Sequence, residues 1–152
     1  MRISAKTDYA IRAAVELASA EPGAPQKGER VAAAQKIPLR FLENILTELR
    51  HAGLVASRRG AEGGYWLARP AEEIALADII RAIDGPLGSV SGQRPQALDY
   101  AGSAEALREV WIAVRAAVRE VLETTTVADV VAGRLPEHVR ELTRPEDAWA
   151  SH

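Results

Sequence analysis

Residues 37–70 read IPLRFLENILTELRHAGLVASRRGAEGGYWLARP: an amphipathic run, a glycine stop and an arginine–glycine bend in succession. Pro38, Phe41, Leu42, Ile45, Leu46 and Leu49 recur at the spacing of a single buried helix face over about 38–51. Arg40, Glu43, Asn44, Thr47, Glu48 and Arg50 take the other face. Proline is tolerated at a helix start, and Gly53 is placed as a left-handed terminator. Leu54–Ser57 and Gly64–Ala68 then read as two strands. Arg58, Arg59 and the glycines between them predict a hairpin with a loop longer than a tight turn. Tyr65 and Leu67 share one face of the returning strand and Trp66 takes the other, so one face should anchor the hairpin on the core.

Working outward, Ser4 can cap a helix over Ala5–Ala20 whose stripe is Ala10, Ile11, Ala14, Val15, Leu17 and Ala18. Glu21–Gly28 is a loop marked by two prolines and two glycines, and a short helix follows at about Glu29–Gln35. Ala77–Ile83 predicts another short helix, stopped by Asp84-Gly85-Pro86. Residues 85–103 show no sustained periodicity, and loops of that length inside a domain are usually functional or disordered. From about Ala104 a helix resumes, with Leu107, Trp111, Val114, Val118, Val121 and Thr125 in a heptad seam widened by Val110 and Leu122. Thr126 with Asp129 reads as the cap of a further short helix. After Gly133 the signal weakens, and the tail with Trp149 is expected to be loosely held. The expected organisation is a domain over 1–84, a loop over 85–103, a long and a short helix over 104–133, and a tail over 134–152.

The composition narrows the chemistry. The 152 residues include no cysteine, which excludes disulfides, thiolate metal sites and thiol nucleophiles. His51, His138 and His152 lie far apart in sequence and offer no zinc spacing. No phosphate-binding, nucleophile-elbow or dinucleotide motif occurs, and the GAEGG stretch lacks a strand before and a helix after it. No catalytic residue, metal or cofactor is therefore expected, and an enzyme is disfavoured. Ala, Leu and Val dominate while Phe and Tyr are scarce, so the chain should be mainly helical. Its apolar runs are far short of a membrane span and its start has no apolar signal segment, which points to a cytoplasmic protein. The net charge of −2 conceals an asymmetry: residues 1–70 carry 11 Lys/Arg against 7 Asp/Glu, and residues 71–152 carry 8 against 14. A basic front suits an anionic partner.

Helix, short helix, amphipathic helix and two-stranded hairpin is the order of a winged helix-turn-helix. Its third helix would enter a major groove of double-stranded DNA. There Arg40 can take guanine or a phosphate, Glu43 can accept from cytosine N4, and Asn44 can pair with adenine. Thr47 can touch a thymine methyl or a phosphate. Arg58 and Arg59 sit at the tip of the wing, where arginine can enter a narrow A·T-rich minor groove. Duller readings stand beside these. The arginine pair can be a solvated turn, Glu43 can pair with Arg40 or Arg50 on its own helix, and Trp66 can be plain core.

Three segments carry a resemblance: MRISAKTDYAIRAAVELA, the stretch from Ile37 to Ile74, and LADIIRAIDGPL. They resemble the Rrf2 family of bacterial repressors, which includes the IscR, NsrR, CymR and RirA regulators. The likeness covers roughly the first 88 residues and resumes at VWIAVRAAVREVLETTTVADVV. It implies a homodimeric winged-helix transcription factor on a palindromic operator. DNA contacts are then implied at Arg40, Glu43, Asn44 and Arg59, and a dimerisation helix along Leu107, Trp111, Val114, Val118 and Val121. Members that sense iron, nitric oxide or redox state hold an iron–sulfur cluster on three cysteines in the loop before that helix. Here the loop has none, so cluster chemistry does not carry over, and Asp8, a carboxylate-ligand position in some relatives, reads as an acid in a helix's first turn. The signal is then expected from a small-molecule effector or a regulatory protein partner. Arg94, Tyr100 and Trp111 are candidate effector contacts, against the plainer reading of a solvated arginine, a loop pin and dimer core. The rival function is a winged-helix protein-interaction module that no longer binds DNA.

Overall fold

The computed structural model describes residues 2–151. Helix α1 spans Ala5–Ala18, α2 Gly28–Gln35 and α3 Leu39–His51. Strands β1 (Val55–Arg58) and β2 (Gly64–Leu67) follow, then α4 (Leu76–Asp84), α5 (Leu107–Thr124), α6 (Val127–Ala132) and α7 (Glu137–Leu142). The fold is mainly α with one antiparallel hairpin, as expected, in the register Val55 opposite Leu67 through Arg58 opposite Gly64.

The element ends follow from local chemistry. Ser4 caps α1 by accepting from the Thr7 amide at 3.1 Å. The buried Thr7 hydroxyl and the Ser4 hydroxyl both donate to Asp84, at 2.5 and 2.9 Å. Asp84 is the last residue of α4, a poor place for an acid on its own helix, yet it sits at the positive end of α1. Helix α2 stops in a left-handed Lys36 (φ 53°), and the Ile37 amide reaches back to the Ala32 carbonyl at 2.9 Å. Gly53 (φ 75°) ends α3 the same way, with the Leu54 amide on the Leu49 carbonyl at 2.9 Å. The expected Thr126 cap is present, with reciprocal bonds of 3.1 and 2.8 Å to Asp129.

One core gathers Ala10, Ala13, Ala14 and Leu17 of α1, Val31 and Ala32 of α2, and Leu42, Ile45, Leu46 and Leu49 of α3. Leu54, Val55, Ile74 and Ile79 close it. Two members of the expected α3 stripe are not in it. Pro38 lies exposed before the helix, and Phe41 stands 60% exposed. The four buried residues already span the contact arc, and Phe41 falls beyond its edge. Helix α6 returns to this core through Val127, whose amide bonds the Ile74 carbonyl at 2.9 Å, while the Leu76 amide bonds the Thr125 carbonyl. Although it follows α5 in the chain, α6 packs against α1.

The segment 85–103 is more built than its composition suggested. Pro95 is buried in a 3-10 turn over Pro95–Ala97 that packs on α5. Arg115 donates to the Leu87 carbonyl at 3.2 Å, and its side chain lies against Gly88. Helix α5 begins at Leu107, after a separate 3-10 turn over Gly102–Ala104. The tail, expected to be loosely held, carries α7 with Val139 buried, and the Trp149 indole donates to the Thr143 carbonyl at 2.7 Å. Six residues are too few for α7 to show a period in sequence.

Ion pairs join the winged-helix part to α5. Glu123 of α5 bonds Arg119 at 2.9 Å and also Arg81 of α4. Arg81 pairs with Asp78 at 3.9 Å and Asp78 with Arg69 at 3.7 Å. Hydrogen bonds from Arg119 and then Arg81 hold the Glu123 carboxyl at about 2, below its usual 4.5. Its stabilising contribution is full above about pH 4.5, shrinks as pH falls and is gone near pH 2. Glu123→Gln should therefore lower the thermal midpoint at neutral pH, modestly because the site is partly exposed. The gap to wild type should close between pH 4.5 and 2; a gap constant over that range removes Glu123 from the account.

Candidate nucleic-acid interface

Helix α3 faces two ways because its apolar and polar residues are separated by the helical period. With Leu42, Ile45, Leu46 and Leu49 fully buried, Arg40, Glu43 and Asn44 must point to solvent. Thr47 is half-buried, and its hydroxyl bonds back to the Glu43 carbonyl at 2.9 Å. The helix is held at both flanks. Glu48 accepts from Lys6 of α1 at 2.6 Å, and Arg50 donates to Ser57 of β1 at 3.1 Å.

The wing is fixed by close approach. Gln26, just before α2, adds to the hairpin as a third strand residue, exchanging two 2.8 Å bonds with Tyr65. A Cβ on Gly64 would lie 2.6 Å from the Gln26 carbonyl oxygen, and a Cβ on Gly63 2.0 Å from that of Arg58. The paired glycines are thus demanded by packed backbone on both sides, which sequence could read only as a flexible bend. Lys27 donates to the Gly60 carbonyl at 2.9 Å, tying the wing tip to the start of α2. Arg58 donates to the Glu62 carbonyl at 3.0 Å within the wing loop.

These constraints form a cleft of about 330 Å³ between the start of α2, helix α3 and the wing. Lys27, Glu43, Arg50, Ser57, Arg58 and Arg59 line it. Glu43 and Arg59, 16 positions apart in sequence, share its wall, and Arg40 stands one turn before Glu43 on the exposed side of α3. Among the described residues, the side chains of Arg40, Glu43, Asn44 and Arg59 make no hydrogen bond or ion pair, so Glu43 does not pair with Arg40 or Arg50. Lys27 was missed by sequence reasoning. The signal available was a lysine at the mouth of a helix. Trp66 is half-buried on the far side of the hairpin, with Leu17, Pro22 and Pro70 around a separate hollow.

The amphipathic third helix and the wing that follows it belong to a fold shared with known proteins. The family described as "Rrf2: Iron-dependent Transcriptional regulator" matches residues 3–133. The chain belongs to the Rrf2 family. It is 56% identical over 142 residues to the HTH-type transcriptional-regulator candidate Rv1287 of Mycobacterium tuberculosis, covering 93% of this chain and 88% of that one. It is similar to CymR of Bacillus subtilis, whose solved structure, titled the global cysteine regulator, superposes with a TM-score of 0.76 at 36% identity over 88% of this chain and 98% of that one. The IscR structure from T. potens superposes with a TM-score of 0.70 at 31% identity, covering 96% and 93%. The chain is a transcriptional regulator of the Rrf2 family, a non-enzymatic class, with the winged-helix fold. No helix among the described residues is long and apolar enough to cross a membrane.

An iron–sulfur cluster does not fit the donors present. The segment before α5 offers carboxylates and a phenol but no thiolate, and no group of metal-ligating side chains comes together among the described residues. Carboxylates alone are a poor set for an iron–sulfur cluster. Asp8 is engaged instead with Arg12 at 3.1 Å in the first turns of α1. Of the three candidate effector contacts, Tyr100 lines a groove of about 480 Å³ with Asp99, Ser103, Glu105, Arg108 and Glu109. Arg94 lies exposed at the start of the Pro95 turn, and Trp111 is half-buried on α5; neither is on the wall of that groove.

Gly64→Ala should cost about 1–3 kcal/mol of stability, because its backbone (φ 151°) and the Gln26 carbonyl must both yield. Urea unfolding measures it, and an unchanged midpoint would show the bridge to Gln26 to be dispensable.

Proposed function

We propose that this regulator is a homodimeric cytoplasmic repressor that binds a palindromic double-stranded operator. Arg40, Glu43, Asn44 and Thr47 would read the major groove, and Arg58 and Arg59 the flanking minor groove. The observation that carries the reading is the shared cleft of Glu43 and Arg59, whose side chains find no partner among the described residues. Lys27 and Arg50 add positive charge to the same cleft. No covalent step is involved; binding is electrostatic in origin and falls steeply with salt.

The dimer reading rests on α5. None of its 18 residues is fully buried, although the helix is amphipathic. Leu107, Trp111, Val118 and Val121 are half-buried, while Val110 and Val114 are 50% and 40% exposed. The Trp111 indole nitrogen is buried and finds no acceptor among the described residues, a cost of about 1–3 kcal/mol that a second copy can relieve. The groove beside Tyr100 at the head of this helix is where a small molecule would bear on the dimer; a regulatory protein partner would act on the same loop.

Arg59→Ala should weaken operator binding by about 1–3 kcal/mol and relax A·T preference in the flanks. Gel-shift titration on matched sites reads both. Equal affinity and preference would favour the protein-interaction module over the DNA reader. Replacing Val110 and Val114 together with glutamate should leave a folded monomer by sedimentation with reduced operator affinity. A persistent dimer would move the seam off α5.

A further inference from the structure

Phe41 is the only phenylalanine in the chain, and the sequence period assigns it to the core. It stands 60% exposed instead, while Leu39, 37% exposed, lies on the other flank near Gly28. Both lie in the first turn of α3, interleaved with Arg40 and followed by Glu43 and Asn44. Helical spacing puts Phe41 on the flank shared with Glu48, which pairs with Lys6 of α1, and Glu43 on the opposite flank, toward the wing. The exposed first turns of α3 therefore present three surfaces side by side. An acid lies toward the wing, a cation and an amide lie in the middle, and an aromatic ring lies toward α1.

We infer that Phe41 reads thymine through its C5 methyl group, a specificity contact in the major groove beside the polar ones. This rests on the DNA-binding reading. The thymine methyl is the apolar feature that a base pair displays in the major groove, and phenylalanine is among the side chains that meet it. A cation at Arg40 next to the ring favours a polyanion over a second copy of the chain as its cover. Each operator half-site then carries a thymine on the α1 side of the bases read by Glu43 and Asn44.

The test replaces thymine by uracil, which removes the methyl group and leaves the pairing edges unchanged. Random-site selection with the wild-type protein first defines the operator. Duplexes with deoxyuridine at single positions are then titrated against wild type and Phe41→Ala. Wild-type affinity should fall about four-fold at one symmetric position, the worth of one buried methyl. Phe41→Ala should bind both duplexes alike there. Because Phe41 is exposed, its alanine variant should keep the wild-type thermal midpoint. A wild type indifferent to uracil everywhere, or a Phe41→Ala protein that still discriminates at that position, overturns the inference while leaving DNA binding intact. A wild type that selects no DNA site overturns the DNA reading itself.

Discussion

The structure depends on the burial of one helix stripe. Leu42, Ile45, Leu46 and Leu49 lose all contact with water among α1, α2, β1 and Ile79. At roughly 1.5–3 kcal/mol for each such side chain, this is a large part of what holds a small domain together. Its consequence for function is geometric. Once those four point inward, the helical period leaves Arg40, Glu43 and Asn44 no direction but outward. Stability and display are set by the same rotation of α3.

The wing depends on a second constraint, the absence of side chains. Gly63 and Gly64 let the hairpin loop fold on Arg58 and let Gln26 join the strand pair. A backbone bridge of this kind positions the arginine tip more firmly than an isolated two-stranded hairpin could, since such hairpins are marginal alone. Lys27 then ties the tip to the mouth of α2. The cleft that holds Glu43 and Arg59 is thus built from three separate segments of chain.

Helix α5 stands in a different relation to the core. It is joined to α4 by Glu123 and Arg81 and by the backbone bonds around Thr125, with its apolar seam incompletely covered. Its connection back through α6 means that a shift of α5 would be felt at α1 and α4, which also carry the Ser4, Thr7 and Asp84 cluster. The loop of residues 85–103 thus packs on α5, and α4 and α6 pack on α1.

Much was legible in the sequence. The amphipathic period of α3, the Gly53 stop, the Ser4 and Thr126 caps and the hairpin are local signals, and the structure carries each of them. So is the lack of cysteine, which alone rules out a thiolate-held cluster. What sequence could not decide is anything set by the edge of a contact or by a distant neighbour. Phe41 fits the buried period but lies just past the arc that the core covers, and periodicity cannot tell an arc's edge from its centre. Gly64 is required by Gln26, 38 positions earlier, and Arg59 shares a cleft with Glu43 only because the hairpin folds back on α3. Local patterns determine which elements form and which face of each is apolar; only tertiary packing decides how far that face is covered and which distant side chains become neighbours.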